Sequence, residues 1–165
     1  AITESNEGNN CAIQTFTVAP LILPPDFSLS ANPNSIFATI KGSSPVTSSK
    51  SVIRVTPFND FDSSVSLSSN AASVIPGATG NFSDTTLSSA EYSTGSEFSV
   101  TVPASAVPAL YNITVQGTGG GLPPRSVNVA LNVRLKDPDF IEVLRTLFGP
   151  WTQIETYISF PLASL

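Results

Sequence analysis

The stretch Val127-Asn128-Val129-Ala130-Leu131-Asn132-Val133-Arg134-Leu135 decides the fold of this chain. Apolar residues stand at every second position, with Asn128, Ala130, Asn132 and Arg134 between them. A period of two sends alternate side chains to opposite faces, so the stretch predicts a half-buried β-strand. Working upstream, Tyr111-Asn112-Ile113-Thr114-Val115-Gln116 and Phe98-Ser99-Val100-Thr101-Val102 repeat the pattern. Ile53 with Val55, Val65 with Leu67, and Phe27 with Leu29 are shorter instances. A slip of one residue would turn each set to water, so the alternation also specifies strand register.

Breakers separate these runs at short intervals: Asn32-Pro33-Asn34, Gly42 to Pro45, Asn59-Asp60, Pro76-Gly77 and Gly117 to Pro124. Short strands at such spacing predict an all-β antiparallel sandwich rather than a parallel α/β sheet. The expected organisation is a sandwich over residues 26–136, an N-terminal extension over 1–25 with one extra strand, and a tail over 137–165. In that tail Asp137-Pro138-Asp139 reads as a helix start. Phe140, Val143, Leu144, Leu147 and Phe148 then share one face, and Gly149-Pro150 ends the helix. A last strand is expected from the alternation of Ile154, Thr156, Ile158 and Phe160.

Asp26-Phe27-Ser28-Leu29-Ser30-Ala31-Asn32-Pro33-Asn34-Ser35 resembles the opening of the immunoglobulin-like modules of secreted bacterial and archaeal proteins. Val52-Ile53-Arg54-Val55-Thr56-Pro57-Phe58-Asn59-Asp60-Phe61 resembles their second strand and its exit turn. Val102-Pro103-Ala104 and Ala109 to Gly117 resemble their closing hairpin, with Leu110 where the family usually has Gly. The resemblance implies an immunoglobulin-like antiparallel β-sandwich. It also implies that the Tyr111 hydroxyl ties back to nearby backbone. Ile2 to Val18 resembles the end of a cell-adhesion-related bacterial domain. Such modules serve as spacers, adhesins and accessory domains alike, so the resemblance speaks for fold more than for function.

Composition narrows the function classes. Only 12% of residues are charged, with 7 Lys+Arg against 12 Asp+Glu, and the cations are scattered, so no basic stripe is available for nucleic acid. The single cysteine, Cys11, has no partner for an internal disulfide, and a small apolar role is expected for it. The chain holds no Met and opens at Ala1, which reads as a processed chain or a fragment, exported after signal-peptide removal. No run reaches the roughly 18 to 20 apolar residues that span a bilayer.

Chemistry is sparse. Histidine is absent, which removes the commonest general base and most zinc sites, so no catalytic residue, cofactor or metal is expected. The glycines from Gly117 to Gly121 run into Leu122-Pro123-Pro124 rather than a helix, and read as a hairpin loop instead of a phosphate cradle. Asp60 and Asp62 read as calcium ligands or as a solvated turn, the turn being the expectation. Glu4 and Glu7 carry the same two readings. Asn81-Phe82-Ser83 and Asn112-Ile113-Thr114 are glycosylation sequons, and strand alternation turns Asn112 outward.

The ends are too apolar for ordinary linkers. Phe16, Val18, Leu21, Ile22 and Leu23 precede Pro24-Pro25, and Ile154, Ile158 and Phe160 lie near the other end. Three readings cover them: they fold back onto the sandwich or pair together; they add a strand to another subunit, the donor-strand mode, which builds an open filament; or a neighbouring domain of a longer protein covers them. The expected function is a structural subunit of an extracellular filament or cell-surface assembly, with copies of itself as partners. The alternative is an adhesin, spacer or accessory module binding a surface glycan or protein. That alternative needs an aromatic platform, and Trp151, the only tryptophan, lies in the tail.

Overall fold

A computed structural model describes residues 21–136. Ten strands follow in order: β1 (Asp26–Asn32), β2 (Ser35–Ile40), β3 (Val46–Thr47), β4 (Ser51–Phe58), β5 (Val65–Ser69), β6 (Thr79–Phe82), β7 (Thr86–Leu87), β8 (Ser96–Val102), β9 (Ala109–Gly119) and β10 (Arg125–Leu135). One helical turn, α1 (Ala71–Val74), and a 3-10 turn at Ser89–Glu91 complete the described elements. The all-β expectation holds for them. The extra N-terminal strand and the helix–strand tail fall outside the described residues.

The strands form two sheets. In the first, β1 pairs β4 and β4 pairs β8. Thr101 of β8 pairs both Thr47 of β3 and Thr79 of β6, and Phe98 pairs both Ser51 of β4 and Phe82 of β6. A strand has only two flanks, so β6 lies on the side of β8 opposite β3 and β4. The second sheet has the order β2-β10-β9-β5-β7. Its β2–β10 pair is parallel, from Ser35 opposite Ala130 to Ile40 opposite Leu135. This corrects the expectation of a wholly antiparallel sandwich. Only Pro33 and Asn34 link β1 to β2, with a cis Asn32–Pro33 bond. Two residues carry the chain to the other sheet without reversing it, and β10 already runs in that direction.

One core lies between the sheets. Phe27, Ile53, Val55, Phe98, Val100 and Val102 enter it from the first sheet; Ile36, Ala38, Val65, Ile113, Val115, Val129, Leu131 and Val133 enter from the second. Each large apolar side chain so buried contributes about 1.5–3 kcal/mol. The buried serines are satisfied: Ser51 Oγ donates to the Pro33 carbonyl at 2.7 Å, and Ser96 Oγ accepts from the Asp84 amide at 3.0 Å. No buried side-chain nitrogen or oxygen among the described residues lacks a partner.

The glycines of the closing hairpin do different work from that expected. Gly117 and Gly119 are paired within β9, opposite Leu67 and Val65 of β5, so the strand runs on past the expected loop start. A Cβ on Gly117 would lie 3.0 Å from Val65 and 3.1 Å from Leu29, so this glycine makes room for a side chain from the facing sheet. The turn itself begins at Gly120 and Gly121, whose φ values are 60° and 69°. The Tyr111 hydroxyl donates to the Val107 carbonyl at 2.7 Å, the backbone tie implied at sequence level.

Candidate functional site

The chain enters the sandwich at one end and leaves at the other. At entry, Asp26 of β1 meets Arg125, the first residue of β10, through Arg125 Nη2 at 2.6 Å and 2.7 Å from the two carboxylate oxygens and Nε at 3.0 Å. These bonds and the Phe27 amide hold the Asp26 carboxyl below its ordinary range. At exit, Leu135 ends β10 beside Ile40, the end of β2. Strand β10 has 11 residues, so at about 3.3 Å per residue the two poles are about 35 Å apart.

The large hydrophobic side chains left exposed divide between these poles. Leu21, Ile22, Leu23 and Phe58 lie at the entrance, where Phe58 is opposite Asp26. The Asn59 side-chain amide donates to the Pro24 carbonyl at 2.9 Å and anchors the root of the Leu21–Leu23 segment. Asn59 and Asp60 make the turn there in left-handed backbone, φ 51° and 59°. A shallow depression of about 210 Å³ is lined by Pro24, Pro25, Asp60, Phe61, Asp62 and Gly120 among others. Beneath it, Phe61 packs between Phe27, 4.9 Å away, and Tyr92, 6.2 Å away, and the Tyr92 hydroxyl donates to the Ser63 carbonyl.

Phe37, Val107, Leu110 and Leu135 lie at the exit end. Phe37 and Leu110 flank Asn132 in one row across β2, β10 and β9, on the outer face of the second sheet. The Arg134 guanidinium stands 6.0 Å from the centre of the Phe37 ring, a cation–aromatic contact. Lys41 follows Ile40, and the Lys136 amide bonds the Ile40 carbonyl at 2.9 Å, so both lysines belong to this pole. Among the described residues the poles therefore differ in charge. The exit turns, 41–45, 75–78 and 103–108, contain no carboxylate, whereas the entrance turn carries Asp60 and Asp62.

Of the residues singled out in the sequence, Leu21, Ile22 and Leu23 are exposed, Leu21 and Ile22 by 86% and 87%. Phe16, Val18, Ile154, Ile158 and Phe160 lie outside the described residues, as do Glu4, Glu7, Cys11 and Trp151. Asn112 is exposed on β9. Asn81 is exposed on β6, its amide donating to Thr101 Oγ1 at 2.9 Å. Asp60 and Asp62 are brought to the entrance depression. No group of three or more Cys, Asp or Glu among the described residues is placed to hold a metal ion. A second depression, about 350 Å³, is lined by hydroxyls and amides of Ser68, Ser69, Asn70, Ser73, Thr114 and Gln116. The sequence reading passed over Phe37 and noted Leu110 only as a replacement for Gly, although a signal was present: each stands at the outward position of a strand whose inward positions are apolar.

The fold and surface define an all-β, two-sheet module with two apolar poles. No protein-family model matches the chain, and no curated protein matches it. Among solved structures, a lipoprotein from Bacteroides thetaiotaomicron is 14% identical, with a TM-score of 0.37 over 82% of this chain and 93% of that one. No helix among the described residues is long and apolar enough to cross a membrane.

Proposed function

We propose that this chain is an in-line structural module of an extracellular filament or cell-surface assembly, with an immunoglobulin-like sandwich as its rigid body. The observation that carries the reading is the placement of entry and exit at opposite poles, each apolar. A module threaded through its long axis transmits length and tension, and its apolar ends favour contact with a neighbour. In immunoglobulin-like terms, β1 and β2 are a first strand divided between the two sheets, and β9–β10 is the closing hairpin. Residues 11–23 are the preferred donated segment and residues 151–160 the second choice. The proposed role is non-enzymatic, at the cell surface, with copies of itself as partners.

The same threaded geometry favours a second reading, a spacer within a longer secreted protein. Negative-stain electron microscopy of the full chain, with solution mass measured over a range of concentrations, separates the two. Regular fibres, or mass rising with concentration, support the assembly; a 17.2 kDa monomer throughout defeats it and leaves the spacer.

A further inference from the structure

We infer that the exit pole is an acceptor surface for the entrance pole of a second copy of this chain, an inference that rests on the in-line reading above. The two surfaces are complementary in two respects. Each carries exposed apolar groups, Leu21, Ile22, Leu23 and Phe58 on one and Phe37, Val107, Leu110 and Leu135 on the other. Among the described residues the uncompensated charges also differ in sign: Asp60 and Asp62 at the entrance, Lys41 and Arg134 at the exit.

In both surfaces the apolar and charged parts are physically joined. Asn59 holds the Pro24 carbonyl at 2.9 Å, which roots Leu21–Leu23 beside Asp60. Arg134 lies over Phe37 at 6.0 Å, so an incoming carboxylate would meet its guanidinium at the border of the apolar patch. Arginine suits that place because it stacks on an aromatic ring and still presents donors to a carboxylate. Arg125, the cation at the entrance among the described residues, is already bonded to Asp26, which leaves Asp60 and Asp62 uncompensated by it.

The charge pattern also selects the mode of contact. Exit against exit would oppose Arg134 and Lys41 to their own copies, and entrance against entrance would oppose Asp60 and Asp62 to theirs. Like charges brought together across an interface are strongly disfavoured. Entrance against exit pairs unlike charges and covers both apolar patches. Such a contact is heterologous, and with poles about 35 Å apart on opposite ends it propagates instead of closing on itself.

The test is a charge exchange in the full-length chain, read by sedimentation velocity at low salt. One variant carries Lys41→Glu with Arg134→Glu. The other carries Asp60→Asn with Asp62→Lys, Asn being chosen because position 60 has φ 59°. Each alone is expected to weaken self-association by about tenfold or more, and the four changes combined to restore it. Added salt should weaken wild-type association. Circular dichroism melts confirm that all variants fold. Self-association that neither variant alters, failure of the combined variant to recover, or a mass that stops at two copies would each overturn the pole-to-pole contact while leaving assembly through another surface standing. A wild type that stays monomeric at every concentration and salt would overturn both proposals.

Discussion

The approach of Leu29 to Gly117 across the two sheets is the part of the fold most open to a quantitative test. Gly117 is buried in β9, and a methyl group there would sit 3.0 Å from Val65 Cγ1 and 3.1 and 3.3 Å from the two Leu29 methyls. Gly117→Ala gains about 0.5–1 kcal/mol from the more restricted unfolded chain. It loses about 1–3 kcal/mol from overpacking. The expected net effect is a destabilisation of about 1 kcal/mol. Leu29→Ala alone should cost about 2 kcal/mol, the low end for leucine because Leu29 is only half-buried. Leu29 supplies two of the three close approaches and Val65 the third, so removing Leu29 relieves most of the clash. The double variant should then be no less stable than Leu29→Ala alone, a coupling of roughly 1–2 kcal/mol in double-mutant terms. Urea unfolding of the four proteins, followed by fluorescence and far-ultraviolet circular dichroism, measures it. Additive effects would refute the argument, because they would mean that Gly117 does not make room for Leu29.

Two further predictions concern titrating groups at the entrance. Tyr92 is held above its ordinary 10.0 by burial, with the Asp62 charge adding to it. A raised folded pKa gives stability that is present below pH 10 and lost as pH rises through the folded value. Chemical denaturation between pH 8 and 12 should therefore show wild-type stability falling toward that of Tyr92→Phe above pH 10. At neutral pH the phenylalanine variant should be about 1 kcal/mol less stable, through loss of the bond to the Ser63 carbonyl. A constant difference at all pH values would contradict this account. Asp26 is lowered from its ordinary 3.8, first by Arg125 and then by the Phe27 amide. Its contribution is present above that value and fades as pH falls through the lower folded pKa, so Asp26→Asn should flatten the acid limb of melting temperature against pH. An unchanged acid limb would count against the ion pair.

The core was legible in the sequence and the surfaces were only partly so, for a physical reason. Alternation reports which residues of a strand share a face, and Val129, Leu131 and Val133 are buried as the pattern requires. It does not report where a strand meets the end of the core: Val127 is half-buried and Leu135 is 61% exposed. Nor does it give direction, so the parallel β2–β10 pair was missed, although the two-residue link at Pro33-Asn34 produces it. Gly117 to Pro124 read as one loop because glycine in a turn and glycine under a facing side chain look alike in sequence. At the candidate surface, Leu21, Ile22 and Leu23 stood out as an apolar run before two prolines. Phe37 and Leu110 did not, because each sits one position out of phase inside a strand that is otherwise well patterned.

The way the sides of the sandwich are closed gives the poles their significance. Open edges are where β-sandwiches usually pair with other chains. On one long side, β1 passes to β2 across Pro33-Asn34; on the other, β6 passes to β7 through Ser83 to Thr85. Exposed edge groups are also met from within. The Phe27 amide, on β1, donates to Asp26 Oδ1 at 2.7 Å. In β2 the Phe37 amide donates to Ser49 Oγ at 3.1 Å, and its carbonyl accepts from the Ser49 amide at 2.9 Å. A strand laid along β2 would have to displace Ser49 before it could pair. Lateral pairing is thus hindered where the edges are longest, while the exposed large hydrophobic groups stand at the two ends. Such an arrangement favours the pole-to-pole contact proposed above over lateral strand pairing.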